Sequence, residues 1–118
     1  MRTLRRNQSK FSYANITGRE RITGTGEYRN LYSYPKTAWA NISSATGEKS
    51  TEIFGDLTDY DKIMVFSDLP ISEATRLWVD ESDVTKPSDY AVKRVSKGLN
   101  DVTVAIKKDS TVVTFEGN

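Results

Sequence analysis

Short runs rich in β-branched and aromatic residues alternate with turn residues along the whole chain, and that alternation directs it to an all-β body. Val102, Val104 and Ile106 alternate with Asp101, Thr103, Ala105 and Lys107, which marks a strand with one apolar face. Lys62-Ile-Met-Val-Phe66 is instead a continuous apolar run, the pattern of a strand buried on both sides. Seven or eight short strands with regular turns predict a barrel or a sandwich. The fold class expected is a small antiparallel β-barrel of about six to eight strands with one long loop, roughly residues 44–58. At 118 residues the chain is read as one domain, 1–118, with a basic arm over 1–10 and a tail over 109–118.

The strands can be placed from the residues. Phe11-Ser-Tyr-Ala-Asn-Ile-Thr17 is the first, ended by Gly18. Arg19 to Gly26 is a turn region in which Gly24-x-Gly26 marks a hairpin. Glu27 to Tyr34 is the second strand, with Tyr28, Tyr32 and Tyr34 on one side and Leu31 on the other. Thr37 to Ser43 is the third, with Ala38, Ala40 and Ile42 opposite Trp39. Ser44 to Thr58 is polar, without sustained periodicity, and carries the isolated pair Ile53-Phe54. A loop of that length in a small domain is functional or disordered. After Lys62–Phe66, Arg76 to Asp80 is a strand and Glu81 to Pro87 a polar loop. Asp89 to Val95 is a strand with a phase slip, since Tyr90 and Val92 share a face that Val95 leaves. A bulge near Arg94 reconciles the two halves. Lys97-Gly-Leu-Asn100 turns the chain, Asp109 and Ser110 turn it again, and Thr111 to Phe115 is a last strand or pairing tail.

Composition narrows the chemistry. There is no His and no Cys, which removes the usual general base, the thiolate nucleophile and the best transition-metal ligands. The reading is non-enzymatic, with no cofactor and no metal. Asp56, Asp59 and Asp61 are the densest carboxylate cluster, but they lack the alternating ligands, central Gly and later Glu of a calcium loop. No apolar run long enough for a secretory signal or a membrane span follows the basic start, so neither is expected. Asn15-Ile-Thr17 and Asn41-Ile-Ser43 match the glycosylation triplet and are read as chance, since both fall in expected strands.

The net charge of +1 hides segregation: residues 1–30 carry net +5 and residues 46–90 net −7. A general nucleic-acid binder shows a clear basic excess, which this chain lacks. Segregated charge suits contact between protein copies or neighbours. Phe11, Tyr13, Tyr28, Tyr32, Tyr34 and Trp39 are read as core or cross-strand pairs, with a stacking platform for single strands as the alternative.

The order of certain segments carries a resemblance. The basic start Arg2 to Lys10 leads into Phe11-Ser-Tyr-Ala14, then Gly26-Glu-Tyr28, Tyr34-Pro35, Trp39-Ala-Asn-Ile-Ser43 and Ala45-Thr-Gly-Glu48. Thr51-Glu-Ile-Phe-Gly55, Asp59-Tyr-Asp-Lys-Ile63, Leu77-Trp-Val-Asp80, Asp89 to Val95 and Leu99 to Lys107 follow. Over roughly residues 2–108 the chain resembles the head-closure (head–tail joining, or stopper) proteins of tailed bacteriophages and phage-like elements of Gram-positive bacteria. The tail, Asp109 to Asn118, departs from that pattern.

The resemblance implies a virion neck protein made in the bacterial host cytoplasm. It implies a homo-oligomeric ring, a hexamer with a dodecamer as alternative, between adaptor or portal-side connector proteins and tail terminator or tail tube proteins. Genomic double-stranded DNA passes through the channel, and no membrane is involved. The loop that narrows the channel in several relatives corresponds here to the segment Ser44 to Thr58, within which Thr46, Gly47, Glu48, Lys49, Ser50, Glu52 and Phe54 are the candidates; on charge, Arg2, Arg5, Arg6 and Lys10 are the candidates for an arm that docks on acidic neighbours. A tail-completion or adaptor ring protein and an OB-like nucleic-acid-binding barrel are the alternatives.

Overall fold

The computed structural model describes residues 8–44 and 60–116. In chain order the strands are β1 (Ser9–Ala14), β2 (Ile16–Arg21), β3 (Tyr28–Tyr32), β4 (Lys36–Ser44), β5 (Lys62–Phe66), β6 (Arg76–Trp78), β7 (Ser88–Lys97), β8 (Val102–Thr111) and β9 (Thr114–Phe115). There is no helix among the described residues. Six strands close into a barrel in the order β1-β4-β5-β8-β7-β6, and β2, β3 and β9 form a second, three-stranded sheet. Every barrel pairing is antiparallel, as the all-β reading expects.

Alternation decides which side chains fill the barrel. Phe11 and Tyr13 enter from β1, Ala38 and Ala40 from β4, Met64 and Phe66 from β5, Leu77 from β6, Tyr90 and Val92 from β7, and Val104 and Ile106 from β8. Small residues sit where rings need room. Phe11 pairs across from Ala38, and its ring packs 6.1 Å from that of Tyr13. The β5 run is buried on both sides as expected: Met64 and Phe66 face inward, while Ile63 packs with Ala105 and Tyr60 outside the wall.

The phase slip in β7 is a bulge. Register shifts between Val92 and Arg94, after which Val95 pairs with Val104 and rejoins the inner core. The extra residue lets a strand whose pattern breaks in sequence keep one face on the core.

Three expectations are corrected. First, the strand expected over 11–17 is two strands, broken at Asn15, and β2 runs through Gly18 to Arg21, so the turn region is confined to the hairpin loop. That loop places Gly24 at φ 85° and Gly26 at φ 76°, a conformation L side chains rarely adopt. Asn15 therefore lies between strands, not within one. Second, Asp109 and Ser110 do not turn the chain but continue β8 to Thr111. Arg76 holds them there: its Nη2 donates to the Asp109 carbonyl at 2.7 Å and its Nη1 lies 3.5 Å from the Asp109 carboxylate. Third, Tyr34 is past the end of β3, and Tyr28 and Tyr34 are exposed while Tyr32 is buried. The tail pairs in parallel with β3 through Thr114 and Phe115.

The second sheet is fastened to the outside of the barrel. Trp78 points outward from β6 but is only 1% exposed, covered with Ala14 and Tyr32 by Val84, Val113 and Phe115. Its indole Nε1 donates to the Lys86 carbonyl at 2.9 Å, which satisfies the one polar atom it buries. Asn15 makes the junction. Its carbonyl accepts the Ser33 N–H at 2.8 Å, its Nδ2 donates to the Pro70 carbonyl at 2.7 Å, and its Oδ1 accepts the Thr75 hydroxyl.

Candidate functional site

The surface feature with the most structure is a cleft of about 390 Å³ where β1 and β6 part company. On its β4 side, β1 is paired from Ser9 to Tyr13; on its β6 side it is paired only from Ser12 to Ala14. The cause lies in β6, which ends at Trp78 because the following N–H groups are taken elsewhere. The Asp89 carboxylate accepts Val79 N–H at 2.8 Å through Oδ1, and Asp80 N–H at 2.8 Å and Glu81 N–H at 3.0 Å through Oδ2. One carboxylate thus curls the chain away from β1 and leaves the Ser9–Phe11 side of that strand without a strand partner among the described residues.

Lys10 lines one wall of the cleft, Tyr34 and Pro35 another, and Trp78, Asp80, Glu81 and Val84 the third. The rim is acidic on the β6–β7 loop. Tyr90 braces it from within, its hydroxyl donating to Asp80 Oδ2 at 3.0 Å. Burial, reinforced by that hydrogen bond and by the charges of Asp80, Asp89 and Asp61, pushes the Tyr90 phenol well above the usual tyrosine range. At the loop's tip, hydrogen bonds from the Thr85 hydroxyl and N–H hold the Asp83 carboxyl below the ordinary carboxylate range.

The second feature is the β2–β3 hairpin. Arg19, Arg21 and Tyr28 share one face, with Arg21 paired across from Tyr28 and the Arg19 guanidinium 5.7 Å from the Tyr28 ring centroid. On the other face Arg29 Nε donates to Glu20 Oε1 at 3.0 Å. The exposed aromatics therefore stand apart: Tyr28 on the hairpin, Tyr34 beside the cleft and Trp39 on the outer face of β4. Phe11, Tyr13 and Tyr32 are core, so the six aromatics divide evenly between core and surface.

Of the residues expected to carry function, Lys10 is placed, exposed, on the cleft wall. Arg2, Arg5 and Arg6 lie outside the described residues, as do Thr46, Gly47, Glu48, Lys49, Ser50, Glu52 and Phe54. The roots of that second segment are defined: Ser44 and Lys62 pair directly, so it leaves and re-enters the barrel at neighbouring strands. Its Asp61 end is fixed by a 2.7 Å bond from Lys108 N–H to the carboxylate and a 2.8 Å bond from Asp61 N–H to the Ile106 carbonyl. Asp56 and Asp59 lie outside the described residues, and among those described no three His, Cys, Asp or Glu side chains group as a metal site. The organising role of Asp89 escaped sequence reasoning; the only local signal was an acidic residue just after the polar loop. No protein-family model matches the chain, and no curated protein matches it.

Proposed function

We propose that this chain is a ring-forming head-closure protein of a tailed-phage neck, seated between the portal-side adaptor and the tail and helping to retain packaged DNA. The observation that carries the reading is the Ser44–Lys62 pairing. A long connection, residues 45–61, is anchored at both ends to adjacent strands of a closed barrel. In a ring with that side of the barrel turned to the axis, each copy contributes one such connection to the channel. The ordered sequence motifs support the same reading.

Closure of the barrel matters for assembly. Among the described residues it leaves only the Ser9–Phe11 side of β1 and the edges of the second sheet open to indiscriminate pairing. What remains for neighbours is a basic, aromatic hairpin face on one region and an acid-rimmed cleft on another. Two different patches meeting repeatedly is the heterologous contact from which rings are built.

The test is deletion of the gene from a genome that carries it, followed by negative-stain microscopy of the particles. Emptied heads separated from tails are expected; full heads joined to tails overturn the reading. The nucleic-acid-binding barrel makes a different forecast. It requires the isolated protein to bind oligonucleotides tightly, with affinity falling steeply as salt rises.

A further inference from the structure

The cleft beside β1 combines a strand edge without a strand partner among the described residues, aromatic walls and an acidic rim, and this combination selects an occupant. We infer that it receives the basic N-terminal segment of a second copy of this chain, residues 1–7, laid as an added strand against the free side of Ser9–Phe11. The inference deepens the ring reading and rests on it.

Charge comes first. The segment carries Arg2, Arg5 and Arg6 with no acidic residue, and the rim offers Asp80 and Glu81. Asp89 is already committed to three backbone N–H groups, whereas Asp80 accepts the Tyr90 hydroxyl and Glu81 the Asp83 N–H through one oxygen each, which leaves each a second oxygen to face an incoming guanidinium. Tyr34, two-thirds exposed at the cleft wall, presents a ring face to the same side chains.

Backbone chemistry comes second. An extended segment that adds to a sheet edge gains main-chain hydrogen bonds, and alternate side chains enter the flanking pockets. Here those alternates are Arg6 and Leu4 on one side and Arg5 on the other.

Direction and reach decide between the chain's own segment and a neighbour's. The chain enters β1 from Gln8, which lies on the β4 side of that strand, in a separate depression of about 240 Å³ with Asn41, Phe66 and Asp101. The cleft is on the β6 side. Gln8, the first described residue, thus borders the depression and not the cleft, which favours a neighbour's segment as the occupant. Seven extended residues reach roughly 23 Å, about the shortest dimension of the molecule, 24 Å, which suffices to meet an adjacent copy.

A fluorescent peptide of residues 1–10 titrated against the full chain tests this directly. Saturable binding is expected, weakened roughly tenfold by Glu81→Lys in the protein and equally by Arg5→Glu with Arg6→Glu in the peptide. The peptide reversal leaves the protein untouched, so misfolding cannot imitate the result. No binding, or binding indifferent to both reversals, overturns the inference. Because the chain has no Cys, Arg5→Cys and Ser82→Cys supply the only thiols. Mixing the two single variants should give a disulfide-linked pair that neither gives alone. In the double variant, a monomer whose only crosslink is internal overturns the neighbour assignment. If Arg5→Glu with Arg6→Glu in the full chain leaves rings intact in particles, the docking fails while the ring stands; absence of rings from particles of the unaltered protein, with no peptide binding, counts against both.

Discussion

The barrel and the second sheet are built from the same kinds of residues but are held in different ways. Each barrel strand has a neighbour on both sides, and its core draws on all six strands. The second sheet ends at β2 on one edge and at the two-residue β9 on the other, and its apolar support among the described residues is the cluster around Trp78. The barrel is therefore stabilised collectively, and the sheet by a few contacts that can be lost one at a time. The lesson is that the part suited to making contacts outward is also the part with the least of its own.

The contrast can be broken or sharpened by substitution. The largest effect is expected inside the barrel. Leu77, fully buried, cut to Ala should cost about 3–4 kcal/mol, a transfer loss plus a cavity that a closed wall cannot collapse. Urea unfolding should show one cooperative transition moved to lower denaturant, and a loss under about 1 kcal/mol would mean the core is looser than its packing implies. Next comes Asp89→Ala. Freeing three backbone N–H groups at the β6–β7 loop should cost about 2 kcal/mol, less than three unsatisfied donors would suggest because water can reach part of the loop. The same variant should raise amide exchange at Val79 to Glu81 before any strand of the barrel responds.

Phe115→Ala is smaller and local. The Phe115 ring packs tilted, 6.2 Å from that of Trp78 and 5.4 Å from that of Tyr34, so its loss should cost about 1–2 kcal/mol. Hydrogen exchange should report opening of β3 and β9 with β5 and β8 still protected; equal loss in both regions would erase the distinction between them. The smallest effect shows only in alkali. The folded-state pKa of Tyr90 is raised above its unfolded value, so the folded chain holds the proton longer. Its contribution is fully present below the ordinary tyrosine value of 10.0 and is lost as pH rises beyond it. Stability should fall above pH 10.0, and Tyr90→Phe should flatten that fall; an unchanged slope would reassign it to other groups.

The barrel was largely legible in the sequence because its strands are defined by local alternation. Ala38, Ala40 and Ile42 against Trp39, the two-sided run at β5, and the slip that became a bulge at Val92–Arg94 were all readable from neighbours in the chain. What was not legible depends on distant partners. The break at Asn15 is fixed by Pro70 and Thr75, 55 and 60 residues away. Asp109 reads as a turn residue until Arg76 claims it, and Asp89 reads as an ordinary polar start to a strand until its three N–H partners are known. For the candidate site, the sequence marked Lys10 but read Glu81 to Pro87 only as a polar loop, and could not bring the two to walls of one cleft.

The Asn15 junction has a mechanical consequence. β1 and β2 are one continuous backbone, so tension applied at the hairpin tip travels straight into the barrel wall. At Asn15 that load is shared between Ser33, just past β3, and the β5–β6 connection, held at Pro70 and Thr75. A pull on the hairpin is thereby distributed between those two stretches as it enters the first barrel strand, and the hairpin acts as a tethered lever, not a loose flap.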